Sequence, residues 1–282
     1  MKHALLVPTD FSENAWVAAQ YAAELAKKYD WSVQILHVYQ TFSRLLATQE
    51  FKDEVSRHNT NAAEDDMEIF YNRFKTAYPS IDSTAACMEG NLNDIILNLI
   101  DENPVKFIVM GTKGASGLVN VAIGSNTYEL IRHSPIGVLA VPENYGDFKF
   151  EKIGVLTNFK DHDIEILSEF VARSGLSLKI SLLHVNEAAK KPSSEDVLFW
   201  QEKVMKELGS DEVTYHDYEM VNRLDVREPI TYAVERLVED ENIDVLLVSY
   251  TRKSFFRSLF SRSLPKIIAN KLTVPTYFKK TD

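Results

Sequence analysis

The chain has 282 residues, 45% hydrophobic and 26% charged, with a formal net charge of −10. That length suits about two domains of roughly 100–200 residues each. The charge argues against nucleic acid as a partner, the apolar runs fall short of the ~20 residues of a membrane span, and a single cysteine, Cys87, excludes a disulfide framework or a cysteine-rich zinc site. Met1 to Pro8 gives way to Thr9-Asp10 too soon for a signal peptide, so the expected location is the cytoplasm. A negative chain can still bind a nucleotide, because one local nest of N–H groups can outweigh the global sign.

His3 to Val7 is an apolar run ending at Pro8-Thr9-Asp10, which predicts a first strand. Ser12 is a candidate N-cap, and Ala15, Ala18, Ala19, Ala22, Leu25, Ala26 and Tyr29 recur at steps of mostly three and four, the stripe of an amphipathic helix. Val33 to Val38 predicts a second strand. A long polar segment follows, with helical periodicity from about Asn61 to Ala77, and then a weaker strand from Thr84 to Met88. Leu92, Ile95, Ile96, Leu99 and Ile100 form another helical stripe, and the runs Phe107 to Met110 and Gly137 to Val141 complete the set. Strands alternating with helices predict an α/β fold with a parallel sheet covered on both faces.

The second half repeats this order. Thr157-Asn158-Phe159 echoes Thr9-Asp10-Phe11, and Leu183-His184-Val185 echoes Leu36-His37-Val38. Ile230, Ala233, Val234, Leu237 and Val238 reproduce the Leu92 to Ile100 stripe, and Ile230 stands 138 positions after Leu92. Two tandem copies of one doubly wound, five-stranded Rossmann-like unit are expected, residues 1–145 and 149–282, joined through the polar stretch Pro142 to Asp147.

Gly111 and Gly114 directly follow the buried run ending at Met110, and Gly124-Ser125 opens a helix with Asn126 as its next residue. A strand, a glycine turn and a helix N-terminus together can hold phosphates: glycine admits close backbone approach, and free N–H groups backed by the helix dipole favour an anion. In a doubly wound sheet, ligands sit where the strand order reverses, beyond the C-terminal strand ends. If the first and fourth strands are neighbours there, Asp10 faces the glycine turn.

Pro8-Thr9-Asp10-Phe11-Ser12, Leu36-His37-Val38 and the spacing Gly111-x2-Gly114-x9-Gly124-Ser125 resemble the universal stress protein family over nearly the whole chain. In ATP-binding members, the aspartate after strand one and the valine after the Leu-His pair hold adenosine, and the methionine, glycines and Gly-Ser hold ribose and phosphates. Carried over, the resemblance implies Asp10, Val38, Met110, Gly111, Gly114, Gly124 and Ser125. Asn126 adds the next N–H, and Pro8 and Thr9 shape the turn. It also implies pairing through last strands, so the two copies are expected to mimic a dimer within one chain by pairing Val138–Val141 with Thr276–Lys279, and a further homodimer is allowed.

The second copy departs from the motif. The same offset puts Ser249 at Gly111, Arg252 at Gly114, Arg262 at Gly124 and Ser263 at Ser125, and the Thr-x-Phe echo puts Asn158 at Asp10. If Gly114 and Gly124 take positive φ, arginine there costs roughly 1–2 kcal/mol each. One ATP per chain, in the first copy, is therefore expected, with Mg²⁺ as its companion. Arg252, Lys253, Arg257 and Arg262 leave room for another anion, and Phe255-Phe256 for a fold-over or a partner.

The expected role is an ATP-dependent regulatory module in which the nucleotide orders the Thr112 to Ile123 loop and shifts the affinity for an unidentified protein partner. Three alternatives stay open: slow hydrolysis or phosphotransfer, a ligand-free scaffold, and binding of AMP or a cyclic nucleotide. No catalytic residue is assigned. The Walker pattern G-x-x-x-x-G-K-[ST] is absent, no metal-ligand cluster stands out, and any metal ligand is left unassigned. Simpler readings stand beside these: Met110 as core, His37 as a packed strand residue, His133 as a helix-dipole partner, Arg132 as solvated, and Cys87 as inert.

Overall fold

The structure is a computed structural model and describes residues 2–40, 49–112, 124–174, 178–186, 191–210, 212–220, 229–250 and 273–281. The chain divides into two compact units, one closing at Glu143 and the other opening at Asn144. Among the described residues no helix is long and apolar enough to cross a membrane.

The first unit runs β1 (Ala4–Pro8), α1 (Glu13–Tyr29), β2 (Ser32–Tyr39), α2 (Gln49–Ala77), β3 (Ser83–Glu89), α3 (Leu92–Glu102), β4 (Val105–Gly111), α4 (Ser125–His133) and β5 (Val138–Val141). Its strands are parallel, in the order β3-β2-β1-β4-β5. The order reverses between β1 and β4, which places the ends of β2, β1 and β4 side by side. Burial follows position. Every residue of β1 is buried, whereas β3, at the edge, alternates between half-buried and exposed. Central parallel strands read as continuous apolar runs because both faces are covered, which is why β3 gave the weakest sequence signal.

The stripe of α1 packs on β1, β4 and β5, with Ala15, Ala18, Ala19, Ala22, Leu25 and Ala26 all buried. Ser12 caps it by accepting from the Ala15 N–H at 3.2 Å. Helix α2 begins at Gln49, twelve residues before the expected start near Asn61. Its only buried apolar stripe among the described side chains is Ala63, Met67, Phe70 and Phe74. The earlier turns lack such a stripe in the sequence, but no glycine or proline interrupts 49–77, which leaves the helix free to extend.

The second unit runs β6 (Lys152–Leu156), α5 (Asp161–Ser174), β7 (Lys179–Asn186), α6 (Ser194–Leu208), β8 (Val213–Glu219), α7 (Pro229–Asp240), β9 (Val245–Tyr250) and β10 (Thr276–Lys280). Its parallel strands follow the equivalent order, β8-β7-β6-β9-β10. The α/β, doubly wound parallel architecture expected from the sequence is present in both units. The long polar segment after β2 carries α2, and the corresponding stretch after β7 carries α6.

Candidate functional site

The C-terminal ends of β2, β1 and β4 bring together Pro8, Thr9, Asp10, Val38, Met110 and Gly111. Pro8 ends β1 opposite Leu36, and the buried Thr9 donates its N–H to the Leu36 carbonyl at 2.8 Å. Asp10 is half-buried, and its Oδ1 accepts from the Ser12 N–H at 3.2 Å and from Ser12 Oγ at 2.6 Å. Val38, one strand over, is half-buried opposite Met88. Met110 is 7% exposed in β4, a core position. Gly111 closes β4 opposite Val141.

Helix α4 is tied to the same corner. The Gly124 N–H donates to the Thr112 carbonyl at 2.8 Å, and Thr127 Oγ1 donates to the Gly111 carbonyl at 3.0 Å. Ser125 and Asn126 are exposed. Gly124 is the N-cap with φ −55 and ψ 145, and it makes no side-chain cap hydrogen bond. Three other N-caps share that extended backbone: Ser12 at −67 and 160, Asn91 at −86 and 130, Ser193 at −69 and 155. Each of those three accepts from its helix with its own side chain. The first-turn N–H groups of an α-helix have no intrahelical acceptor, and glycine at the cap withholds from α4 the side-chain acceptor that Ser12, Asn91 and Ser193 supply to α1, α3 and α6.

This geometry corrects one premise. Gly124 is not at positive φ, so the left-handed strain expected of a side chain at this position does not arise. What glycine does at 124 is withhold a capping side chain. Gly111 is not required by left-handed backbone either. A Cβ on it would lie 2.7 Å from Asn14 Cγ and 2.9 Å from the Asn14 carbonyl oxygen. The close approach of α1 to β4 demands the glycine.

Asn14 is the residue that sequence reasoning missed. It is 3% exposed in the first turn of α1. Its Nδ2 donates to the Val141 carbonyl at 3.1 Å, and its Oδ1 accepts from Thr112 Oγ1 at 3.4 Å, fastening the ends of β5 and β4 to α1. A polar residue just inside an otherwise apolar helix face was the available signal. Gly114, Lys113 and the rest of 113–123 lie outside the described residues, as does the ordering expected of that loop.

Other singled-out residues fall to structural roles. His37 Nδ1 lies 2.8 Å from the Thr9 carbonyl oxygen. His133 Nδ1 lies 2.9 Å from the Glu129 carbonyl, one turn back, and Arg132 pairs with the Glu129 carboxylate at 3.2 Å. Cys87 donates Sγ–H to the Ala63 carbonyl at 3.2 Å. Burial, reinforced by Glu64 and Asp66, pushes its thiol above the usual range, the opposite of what a reactive thiolate needs. Among the described residues no group of three or more histidine, cysteine or acidic side chains is placed to hold a metal.

The second unit fills the corresponding corner differently. Asn158 replaces Asp10, and Asp163, 2% exposed, takes over the turn. Its Oδ2 accepts from Thr157 Oγ1 at 2.9 Å, the Asn158 N–H at 3.0 Å and the Lys160 N–H at 3.3 Å. Its Oδ1 accepts from Ser249 Oγ at 2.7 Å. Ser249, in the place of Gly111, is thus buried in an internal hydrogen bond. The expected counterparts Arg252, Lys253, Arg257, Arg262, Ser263 and Phe255-Phe256 lie outside the described residues.

The family model of the universal stress protein family matches residues 1–142. The chain belongs to the universal stress protein family. A universal stress protein of Methanocaldococcus jannaschii is 26% identical over 152 residues, 49% of this chain and 93% of that one. Among solved structures, a universal stress protein from Archaeoglobus fulgidus aligns over 98% of this chain and 96% of its own, with a TM-score of 0.65 at 18% identity. A functionally unknown protein from Pseudomonas aeruginosa aligns over 100% of this chain and 93% of its own, with a TM-score of 0.56 at 13% identity. These two likenesses are likenesses of fold, and each extends over both repeats.

Proposed function

We propose that this protein is a nucleotide-dependent regulatory module of the stress response that binds one ATP, in its first repeat. The observation that carries the reading is the start of α4, where a residue with ordinary N-cap backbone offers no capping side chain. An anion is the natural acceptor for those N–H groups. Fastened beside them are Gly111, at the end of β4, and Asp10 and Val38, at the ends of β1 and β2. Phosphates belong at α4. Adenosine belongs with Asp10 and Val38, whose carboxylate and apolar side chain suit a ribose or base and its ring face, as the family resemblance implies. Mg²⁺ accompanies the triphosphate, with its charge balanced by phosphate oxygens. In the second repeat Ser249, in the place of Gly111, is bonded to Asp163, which supports assigning the nucleotide to the first repeat.

A bound nucleotide regulates only through unequal affinity for two states of the protein, so a partner that distinguishes nucleotide-bound from nucleotide-free protein completes the function. Calorimetry on nucleotide-stripped full-length protein tests the reading. The expected result is ATP binding at one site per chain. Dissociation constants weaker than about 1 mM for both ATP and AMP, roughly −4.1 kcal/mol, would refute it.

A further inference from the structure

The two repeats share a device that lies outside the glycine motif. In the first, His37 in β2 directs Nδ1 to the Thr9 carbonyl oxygen at 2.8 Å, and Phe11 sits in the left-handed region at φ 64. In the second, His184 in β7 directs Nδ1 to the Thr157 carbonyl oxygen, again at 2.8 Å, and Phe159 has φ 58. In both, the threonine Oγ1 accepts the phenylalanine N–H, at 3.0 and 2.8 Å. In both, the imidazole lies against the phenylalanine ring, with centroids 4.3 and 5.1 Å apart. The residue between threonine and phenylalanine differs, Asp10 in one and Asn158 in the other.

The chemistry fixes the proton. A carbonyl oxygen only accepts, so Nδ1 carries hydrogen in both rings. The mechanics follow from what surrounds Asp10. The Thr9 N–H goes to the Leu36 carbonyl and the Thr9 carbonyl to His37, so the peptide unit entering Asp10 is held from β2 at two points. The peptide leaving it ends at Phe11, whose left-handed backbone is unfavourable for a bulky residue and whose ring is held between His37 and, with centroids 5.9 Å apart, Phe70 of α2. Ser12 then holds the carboxylate itself.

We infer that His37 is a positioning residue of the nucleotide site: it fixes the Thr9–Asp10 peptide and the Phe11 turn, and thereby aims Asp10 at the ligand. This role rests on the nucleotide reading given above. Side-chain length supplies the test. Asparagine places Nδ2 as many bonds from the backbone as histidine places Nδ1, so His37→Asn keeps the donor and loses the ring. His37→Phe keeps a ring and loses the donor. His184→Phe makes the same loss in the second repeat.

ATP binding and melting temperature are measured on the four full-length proteins, and the histidine tautomer is read by ¹⁵N NMR on the wild type. His37→Phe is expected to weaken ATP binding about tenfold and His37→Asn to recover it to within about threefold, the scale of one hydrogen bond and its unsatisfied carbonyl. His184→Phe is expected to melt lower yet bind ATP within about twofold of wild type, since distant sites act independently. The spectrum is expected to show His37 protonated at Nδ1. If His37→Phe fails to fold, His37→Gln replaces it, because its donor lies one bond too far. Wild-type protein that binds no adenine nucleotide overturns the function proposed above and this role with it. Wild-type protein that binds, with a His37→Phe or His37→Gln variant binding equally well, an unrescued His37→Asn, or an equal loss in His184→Phe, overturns the positioning role alone.

Discussion

Replacing Gly124 by aspartate separates two effects that most binding-site substitutions confound. The backbone at 124, φ −55 and ψ 145, matches that of the side-chain caps Ser12, Asn91 and Ser193, so an aspartate adopts it without strain. Its carboxylate then accepts from the first turn of α4. An aspartate cap exceeds glycine by a few tenths of a kcal/mol, and a negative charge at a helix start adds about 0.3–1 kcal/mol. The variant is expected to be more stable by about 0.5–1 kcal/mol, which raises the melting temperature by about 1–4 °C. Nucleotide binding moves the other way. Like charges about 4 Å apart repel by about 4 kcal/mol at an effective dielectric near 20. Screening at an exposed helix start halves this to about 2 kcal/mol, roughly thirtyfold in Kd. Thermal denaturation and calorimetry on the same preparation read both. A stabilised variant that binds ATP as wild type does would show that the phosphates do not sit at α4, and a destabilised one would refute the capping argument.

Further outcomes follow from the packing. Gly111→Ala sets a Cβ against Asn14 and is expected to lose about 1–3 kcal/mol in chemical denaturation. Adding Asn14→Ala should return part of that loss, and simple additivity would contradict the steric cause. Asp163→Ala strands Thr157 Oγ1, two N–H groups and Ser249 Oγ. It should cost about 3 kcal/mol or more while leaving ATP affinity in the first repeat unchanged. Burial opposes the charged form of Asp217, but hydrogen bonds from Asn186, Lys191 and Tyr215 together with the Lys191 charge outweigh it, and its carboxyl lies below the usual range. Its stabilisation is therefore fully present above the unfolded value of about 3.9 and is lost as pH falls through the depressed one. Asp217→Asn should lower urea stability at pH 7 and flatten its fall below pH 4, and an unaltered pH slope would count against the pairing.

Much of the fold was legible because the dominant forces leave periodic marks. Leu5 to Val7 and Phe107 to Met110 read as strands because both faces of a central parallel strand are buried. The α1 stripe and the Ser12 cap were visible for the same kind of reason. The first twelve residues of α2 were not, because that stretch carries no sustained apolar period in the sequence. At the site, the elements were legible but their causes were not. Glycine at 111 was read as room for a phosphate to approach the backbone and serves as room for Asn14. Glycine at 124 was read as positive φ and serves as a missing cap.

The sequence by itself determined the repeated α/β unit, the family and the asymmetry between the copies, because hydrophobic period and glycine spacing are local properties of the chain. Only the tertiary structure decided which groups meet at the corner: Asn14 against Gly111, His37 on the Thr9 carbonyl, and Asp163 on Ser249. Those partners lie 97, 28 and 86 residues apart. No local pattern encodes such pairs, because they are set by which strands become neighbours when the sheet order reverses.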